Sequence, residues 1–194
     1  MNALAASVCE PLVSVIAKMN SDGLSQFRGH AGEMYVSAEL MRRGWLAAMT
    51  ARGSRSFDIL ARRPDRPSFV AIRVKTGHNG FIWSAKKDGT LFLDMTDTAD
   101  FTVIVDLPED RAPTYYVLPT TVVDACVRTS HATWLQTPGK KGQPHSAKTT
   151  TRGLYLDGDT TRYDHGFAVK WADYRDAWHL LDEGATSAST RAKR

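Results

Sequence analysis

The chain has 194 residues, 42% of them hydrophobic and 24% charged, which is enough for one globular domain with a sizeable core and gives no reason for two. No apolar run approaches the roughly 18 residues that a membrane span requires, and two cysteines, Cys9 and Cys126, cannot build a disulfide framework. The net charge of +4 is unevenly placed: setting aside the three cations of residues 184–194 and the four of residues 138–152, two segments without an acid, leaves the remainder at −3.

Acid-free basic segments of this kind suit phosphate backbones, whose binding is driven by counterion release. The apolar start is interrupted by Glu10 and Pro11 and has no basic n-region, so a secretory signal is not expected and the cytoplasm is the expected compartment. The organisation expected is one domain over residues 1–183, with 1–25 as an N-terminal helical extension. Residues 184–194 read as a basic flexible tail, because they lack the apolar side chains to order themselves, and the folded unit is expected to end near Asp182.

Along the chain, Leu4, Val8, Leu12, Val15 and Ile16 have helical spacing over about 3–19, with Pro11 as a break or a helix start. A stronger helix is predicted over 29–44, closed by Gly44. Extended segments follow at 45–49, 56–61 and 68–75, divided by Gly/Arg-rich and Pro-rich turns. Further strands are predicted at Leu91 to Met95, Phe101 to Leu107 and Thr114 to Leu118, and a short helix over 120–129. Residues 171–182 read as a final helix with Trp171, Tyr174, Trp178 and Leu181 on one face. This order predicts an α/β domain with a central mixed sheet flanked by helices.

Within that frame a few charges stand at positions that ask for partners. On the 29–44 helix, Glu33 lies in line with Val36 and Leu40, on the side that meets a sheet; the alternative is an acid of the first turn complementing the helix dipole. Alternation in 56–61 puts Phe57 and Ile59 on one face and Ser56, Asp58 and Leu60 on the other, making Asp58 a half-buried strand acid, a residue type that strands disfavour. In 68–75, Val70, Ile72 and Val74 face one way while Ala71, Arg73 and Lys75 face the other.

The run from Gly29 through Gly32-Glu33, Val36, Leu40 and Gly44, then Phe57-Asp58-Ile59-Leu60, then Ile72-Arg73-Val74-Lys75-Thr76, resembles PD-(D/E)XK nuclease-like proteins of the Holliday-junction-resolvase-like branch. The likeness continues through Asp100-Phe101 to Val105, Tyr115 to Pro119, Trp134-Leu135 with Gly139, Pro144 and His145, and Tyr174 to Leu181, covering roughly residues 27–181. The resemblance implies a restriction-endonuclease-like fold and a site of Glu33, Asp58 and Lys75 around a divalent ion, Mg2+ or Mn2+, ligated by Glu33 and Asp58. Hard carboxylate oxygens hold such an ion, the ion polarises a phosphate and acidifies a bound water, and the lysine supports the attacking water or the developing charge.

The sequence departs from the family at one position, because the residue two before the lysine is an acid or a glutamine there and is Arg73 here. Arginine has no acceptor atom and stays protonated. An acid at 73 would leave the site at −2, whereas Arg73 brings it to zero, and a cation about 4 Å from a divalent ion costs on the order of 8 kcal/mol at an effective dielectric near 20. Three readings follow. In the first, the chain is a metal-dependent endonuclease in which Arg73 turns to a DNA phosphate. In the second, it is a catalytically silent nucleic-acid-binding module in which Arg73 replaces the metal electrostatically. In the third, it is a protein-interaction scaffold.

For nucleic acid, DNA above all, the expected contacts are Arg52 and Arg55 in the turn before Asp58, then Lys140, Lys141, Lys148 and Arg152 in a long loop over about 136–152; a homodimer is a further expectation. The six histidines show no paired spacing for zinc, and His30 and His145 are candidates to assist the site. Of the five tryptophans, Trp83 and Trp134 are the two worth testing as base-stacking platforms, and the others read as core or rim.

Overall fold

The computed structural model describes residues 21–51, 57–86, 89–91, 95, 97–139, 141–158 and 165–191. Helix α1 spans Ser21–Arg42 and ends where Gly44, at φ 80°, takes the left-handed conformation that closes it, as its position predicts. Because α1 begins at Ser21 rather than near Gly29, Glu33 sits in mid-helix, and the dipole-complementing role falls away. Residues 21–25 belong to this helix; the rest of the expected N-terminal extension lies outside the described residues.

Strands β1 (Leu46–Met49), β2 (Ile59–Arg62), β3 (Val70–Gly77), β5 (Asp100–Asp106) and β6 (Thr114–Pro119) form one sheet in the order β1-β2-β3-β5-β6. Only β3 and β5 are parallel, in register Ile72 to Phe101 and Lys75 to Ile104; the other pairs are antiparallel. The mixed sheet is therefore as predicted. Alternation along the central strands feeds two cores on opposite faces. Ile72, Val103, Val105 and Val117 join Val36 and Leu40 of α1 on one side. On the other, Ile104, Tyr116 and Leu118 join Val123 and Val127 of α2, which spans Thr120–Gln136.

A second sheet pairs β4 (Gly80–Ser84) with β7 (Thr151–Tyr155), antiparallel, from Gly80 opposite Tyr155 to Ser84 opposite Thr151. Neither strand is among those predicted from the sequence. Phe81, Trp83 and Leu154 point from this hairpin-like layer into the second core. Arg152 is thus a strand residue, and the loop before β7 ends at Thr150. Leu91 and Met95 do not lie in a strand, and 92–94 fall outside the described residues; Met95 is instead buried in the second core.

The stretch 171–182 is not one helix. A short helix α3 (Phe167–Lys170) and a 3-10 turn (Ala172–Tyr174) are followed by Arg175, bridged to Tyr116, and Asp176 at φ 52°. Helix α4 then runs Leu180–Arg191. The reversal sends Trp171 into the second core and Trp178 and Leu181 into the first, so residues seven apart end on opposite faces of the sheet. Gly184 and Ala185 are buried, which carries the folded unit beyond Asp182 and corrects the expectation of a flexible tail from 184. Among the described residues no helix is long and apolar enough to cross a membrane.

Candidate active site

Three elements bring the site together, and the contact that fixes them is glycine against threonine. A Cβ on Gly32 would overlap Thr76 Oγ1, so α1 approaches β3 more closely than any other residue at 32 permits. Glu33, the next residue, is held at the rim of that contact with its side chain 30% exposed. His30, one turn earlier, places Nδ1 3.2 Å from Glu33 Oε2, which gives the expected His30 assistance a geometric basis.

Asp58 stands where β2 parts from β3. Its N–H donates to Ile72 C=O at 2.9 Å and its C=O accepts from Thr50 N–H at 2.9 Å. The next N–H on the same edge of β3, that of Val74, finds no backbone partner on β2 and donates to Asp58 Oδ2 at 2.7 Å. A strand N–H lies in the plane of the sheet, so this bond draws the carboxylate into that plane, where groups from both faces reach it. Asp58 is a bend residue ahead of β2. Accordingly Phe57 packs against the second core and Ile59 against the first, and the predicted strand alternation fails at this point.

Burial raises the Asp58 carboxyl above its ordinary range; the Val74 N–H opposes this, Glu33 adds to it, and Arg73 and Lys75 pull it back down. The Val74 N–H that Asp58 accepts lies on β3 between Arg73 and Lys75, so the acid stands beside the segment that carries both cations. Lys75 is shifted the other way: burial lowers its ammonium, Arg73 lowers it further, and Asp58 counteracts both. Its Nζ lies 5.3 Å from the ring centre of Trp83, whose burial at 6% exposure makes it a shelf beneath the lysine rather than a platform for a base.

A cleft of about 380 Å³ opens over the two acids, lined by Phe27, His30, Glu33, Met49, Thr50 and Asp58, with Ala51 at its edge. Arg52 and Arg55 follow Ala51 in sequence and lie outside the described residues, as does Lys140. Lys141 and Lys148 are exposed. The Arg152 guanidinium donates from Nη1 to the C=O of Thr149 and of Thr151, at 2.8 and 3.1 Å, an internal role beside the phosphate contact expected of it. His145 is not at the cleft but stacks on Trp134, ring centres 3.8 Å apart.

Among the described residues no group of three or more His, Cys, Asp or Glu side chains is placed to hold a metal ion. The donors that converge are Glu33 and Asp58. Two carboxylates are nonetheless a sufficient protein share for Mg2+, which keeps several waters and takes its remaining ligands from substrate phosphate. A divalent cation held by the two acids would offset the part that Glu33 plays in raising the Asp58 carboxyl. The donor set therefore fits a hard cation that enters with a phosphate, and does not fit a closed all-protein cage.

Sequence reasoning missed Thr50 and the Val74 N–H, whose roles depend on the divergence of two strands and leave no mark in composition.

No family model matches the chain, and neither does any curated protein. Among solved structures it is similar to a bacterial homing endonuclease, at 16% identity over 85% of this chain and 96% of that one, with a TM-score of 0.46. It is also similar to Hjc, a Holliday junction resolvase of the archaeon Archaeoglobus fulgidus, at 23% identity over 48% of this chain and 73% of that one, with a TM-score of 0.35.

Proposed function

We propose that this chain is a divalent-metal-dependent phosphodiester hydrolase of nucleic acid, with DNA the expected substrate and Glu33, Asp58, Arg73 and Lys75 as its working residues. The observation that supports the reading is that Glu33 and Asp58 line one cleft and that Asp58 is tied by the Val74 N–H to the stretch of β3 that carries Arg73 and Lys75. Opposed shifts on Asp58 and Lys75 are in keeping with a site that moves a proton.

Glu33 and Asp58 would hold the ion, Mg2+ or Mn2+, which when bound polarises the phosphoryl oxygen and acidifies a water. Arg73, with its planar fork of donors, binds the phosphodiester. Lys75, its ammonium lowered by burial, takes the proton of the attacking water as the new P–O bond forms and the bond to the leaving sugar oxygen breaks. His30 orients Glu33.

A second reading is favoured by the charge count. With Arg73 and Lys75 beside Glu33 and Asp58 the cluster is neutral without an ion, as suits a nucleic-acid-binding module that does not cleave. Calorimetric titration with Mg2+ and Mn2+ in the presence of a DNA duplex, together with a cleavage assay, separates the two. Ion uptake with strand scission supports the hydrolase; duplex binding without either supports the silent module. DNA affinity that ignores salt, or no DNA binding, would leave only a protein-interaction role. Phe27, Met34 and Met41 expose apolar surface on α1 and offer a face for a second copy of the chain, which sedimentation would detect.

A further inference from the structure

The two-stranded layer of β4 and β7 has two faces. Phe81, Trp83 and Leu154 point inward, whereas Ile82, in mid-strand, is 53% exposed on the outer side. There it borders a cavity of about 130 Å³ whose walls include His131 and Trp134 from α2 and Tyr155 from β7.

The aromatic rings of this groove are held flat by their surroundings. A Cβ on Gly80 or on Gly153 would lie 3.0 or 3.4 Å from the Tyr155 ring, so that ring lies across the bare backbone of both strands. Its edge meets His165 at 4.8 Å. Trp134 lies nearly parallel to His131, at 21° with ring centres 5.3 Å apart, and to His145, at 18° and 3.8 Å, so the His145 imidazole covers one of its faces. Burial, with the nearby Arg152 charge, lowers the His131 imidazole. Thr149 and Thr151 complete the lining with hydroxyls. The segment leading into it, residues 138–152, contains no acid, and Lys141 and Lys148 on it are exposed.

We propose that this outer groove is a nucleobase-stacking subsite for single-stranded nucleic acid, in which an unstacked base packs on the Tyr155 ring against the wall that His131 and Trp134 form, while Lys141 and Lys148 hold its flanking phosphates. Every base has a π-face and edges that hydrogen-bond, which matches flat aromatic walls rimmed by hydroxyls. The charge of the bordering segment selects a polyanion over an apolar peptide. The inference depends on nucleic acid being the partner, as in the function proposed above, and not on hydrolysis.

The test uses the full chain and short single-stranded DNA carrying 2-aminopurine, compared with the same strand bearing an abasic site and with a duplex. Stacking predicts quenching of the 2-aminopurine and affinity for the intact strand about tenfold or more above the abasic one. Trp134→Ala should remove that preference and leave both the duplex affinity and the salt slope unchanged, while Trp134→Phe should restore part of it. Equal binding of intact and abasic strands by the native chain would overturn the subsite while leaving a nucleic-acid partner standing. Failure of every DNA to bind would overturn the subsite and the proposed function together. Quenching of Trp134 by an aromatic peptide but by no oligonucleotide would reassign the groove to a protein partner and overturn it too.

Discussion

Asp58 Oδ2 accepts the Val74 N–H at 2.7 Å, so the acid at the centre of the candidate site also closes the β2–β3 edge where the strands part. The carboxylate is held in a partly buried place that favours its protonated form, and it keeps that position because the backbone donor would otherwise lose its partner. Site geometry and sheet integrity thus rest on the same hydrogen bond.

Replacing Asp58 by Asn keeps an acceptor for Val74 and removes the buried charge. Because burial raises the Asp58 carboxyl, the folded chain holds that proton more tightly than the unfolded chain, and native stability falls as pH rises from the ordinary carboxylate value through the raised one. Asp58→Asn escapes that loss. It should be more stable than the native chain by about 1 kcal/mol at pH 7, with the difference shrinking toward acid pH, and should not cleave. Denaturant unfolding at pH 4 and pH 7 reads this out; equal stability at both would refute it. Lys75 has the opposite sign: its ammonium is lowered, so its contribution to stability grows as pH rises from the lowered value toward the ordinary lysine range.

The close approach of α1 to β3 gives a second expectation. Gly32→Ala forces a methyl group into Thr76, an overpacking that costs about 1–3 kcal/mol and lifts Glu33 away from Asp58. Thr76→Ala in the same chain should recover part of the stability, because it removes two of the three atoms that the methyl group meets. Additive losses in the double variant, measured by thermal unfolding, would show that the two residues do not touch.

Much of this arrangement is legible in the sequence, and what is not has a physical reason. The Gly32-Glu33 pair and Lys75 lie in segments with a clear period, on α1 and β3, whereas Asp58 stands at a bend where the alternation of its segment fails. The faces of β3 are also right: Val70, Ile72 and Val74 serve the first core. The β4–β7 pair is invisible because its register, Phe81 opposite Leu154, joins segments about 70 residues apart, each too short to show a period. The predicted terminal helix fails for a different reason. Trp171, Tyr174, Trp178 and Leu181 do fall at helical spacing, but Asp176 at φ 52° reverses the chain and the two tryptophans seal opposite faces of the sheet. Periodicity reports that a residue is buried, not which core receives it.

In the proposed hydrolase Arg73 would set the terms on which a metal binds. Its charge stabilises ionised Asp58 and opposes protonated Lys75, and it offers no acceptor to a cation. Arg73→Gln restores an oxygen and removes one positive charge, taking the cluster from zero to −1. The free variant should bind Mn2+ at least about tenfold more tightly than the native chain, seen as loss of the free-ion paramagnetic signal, while its duplex affinity falls by about 1–3 kcal/mol if one charged phosphate contact is lost. Native and variant chains that take up Mn2+ equally would show that the arginine does not control the site.

The cations of the 138–152 segment divide into two kinds. Arg152 donates to the C=O of Thr149 and of Thr151, and burial lowers its guanidinium, so it orders the entry to β7 and is poorly placed to hold an external phosphate. Lys141 and Lys148 are exposed. Replacing both lysines by alanine should reduce the slope of log affinity against log salt by about 0.7 per phosphate lost on single strands and about 0.9 on duplex, with thermal stability unchanged. Arg152→Ala should do the reverse, lowering stability by about 1 kcal/mol and leaving the slope near its native value. A slope that responds to Arg152 and not to the lysines would mean that the guanidinium leaves its carbonyls to meet the nucleic acid.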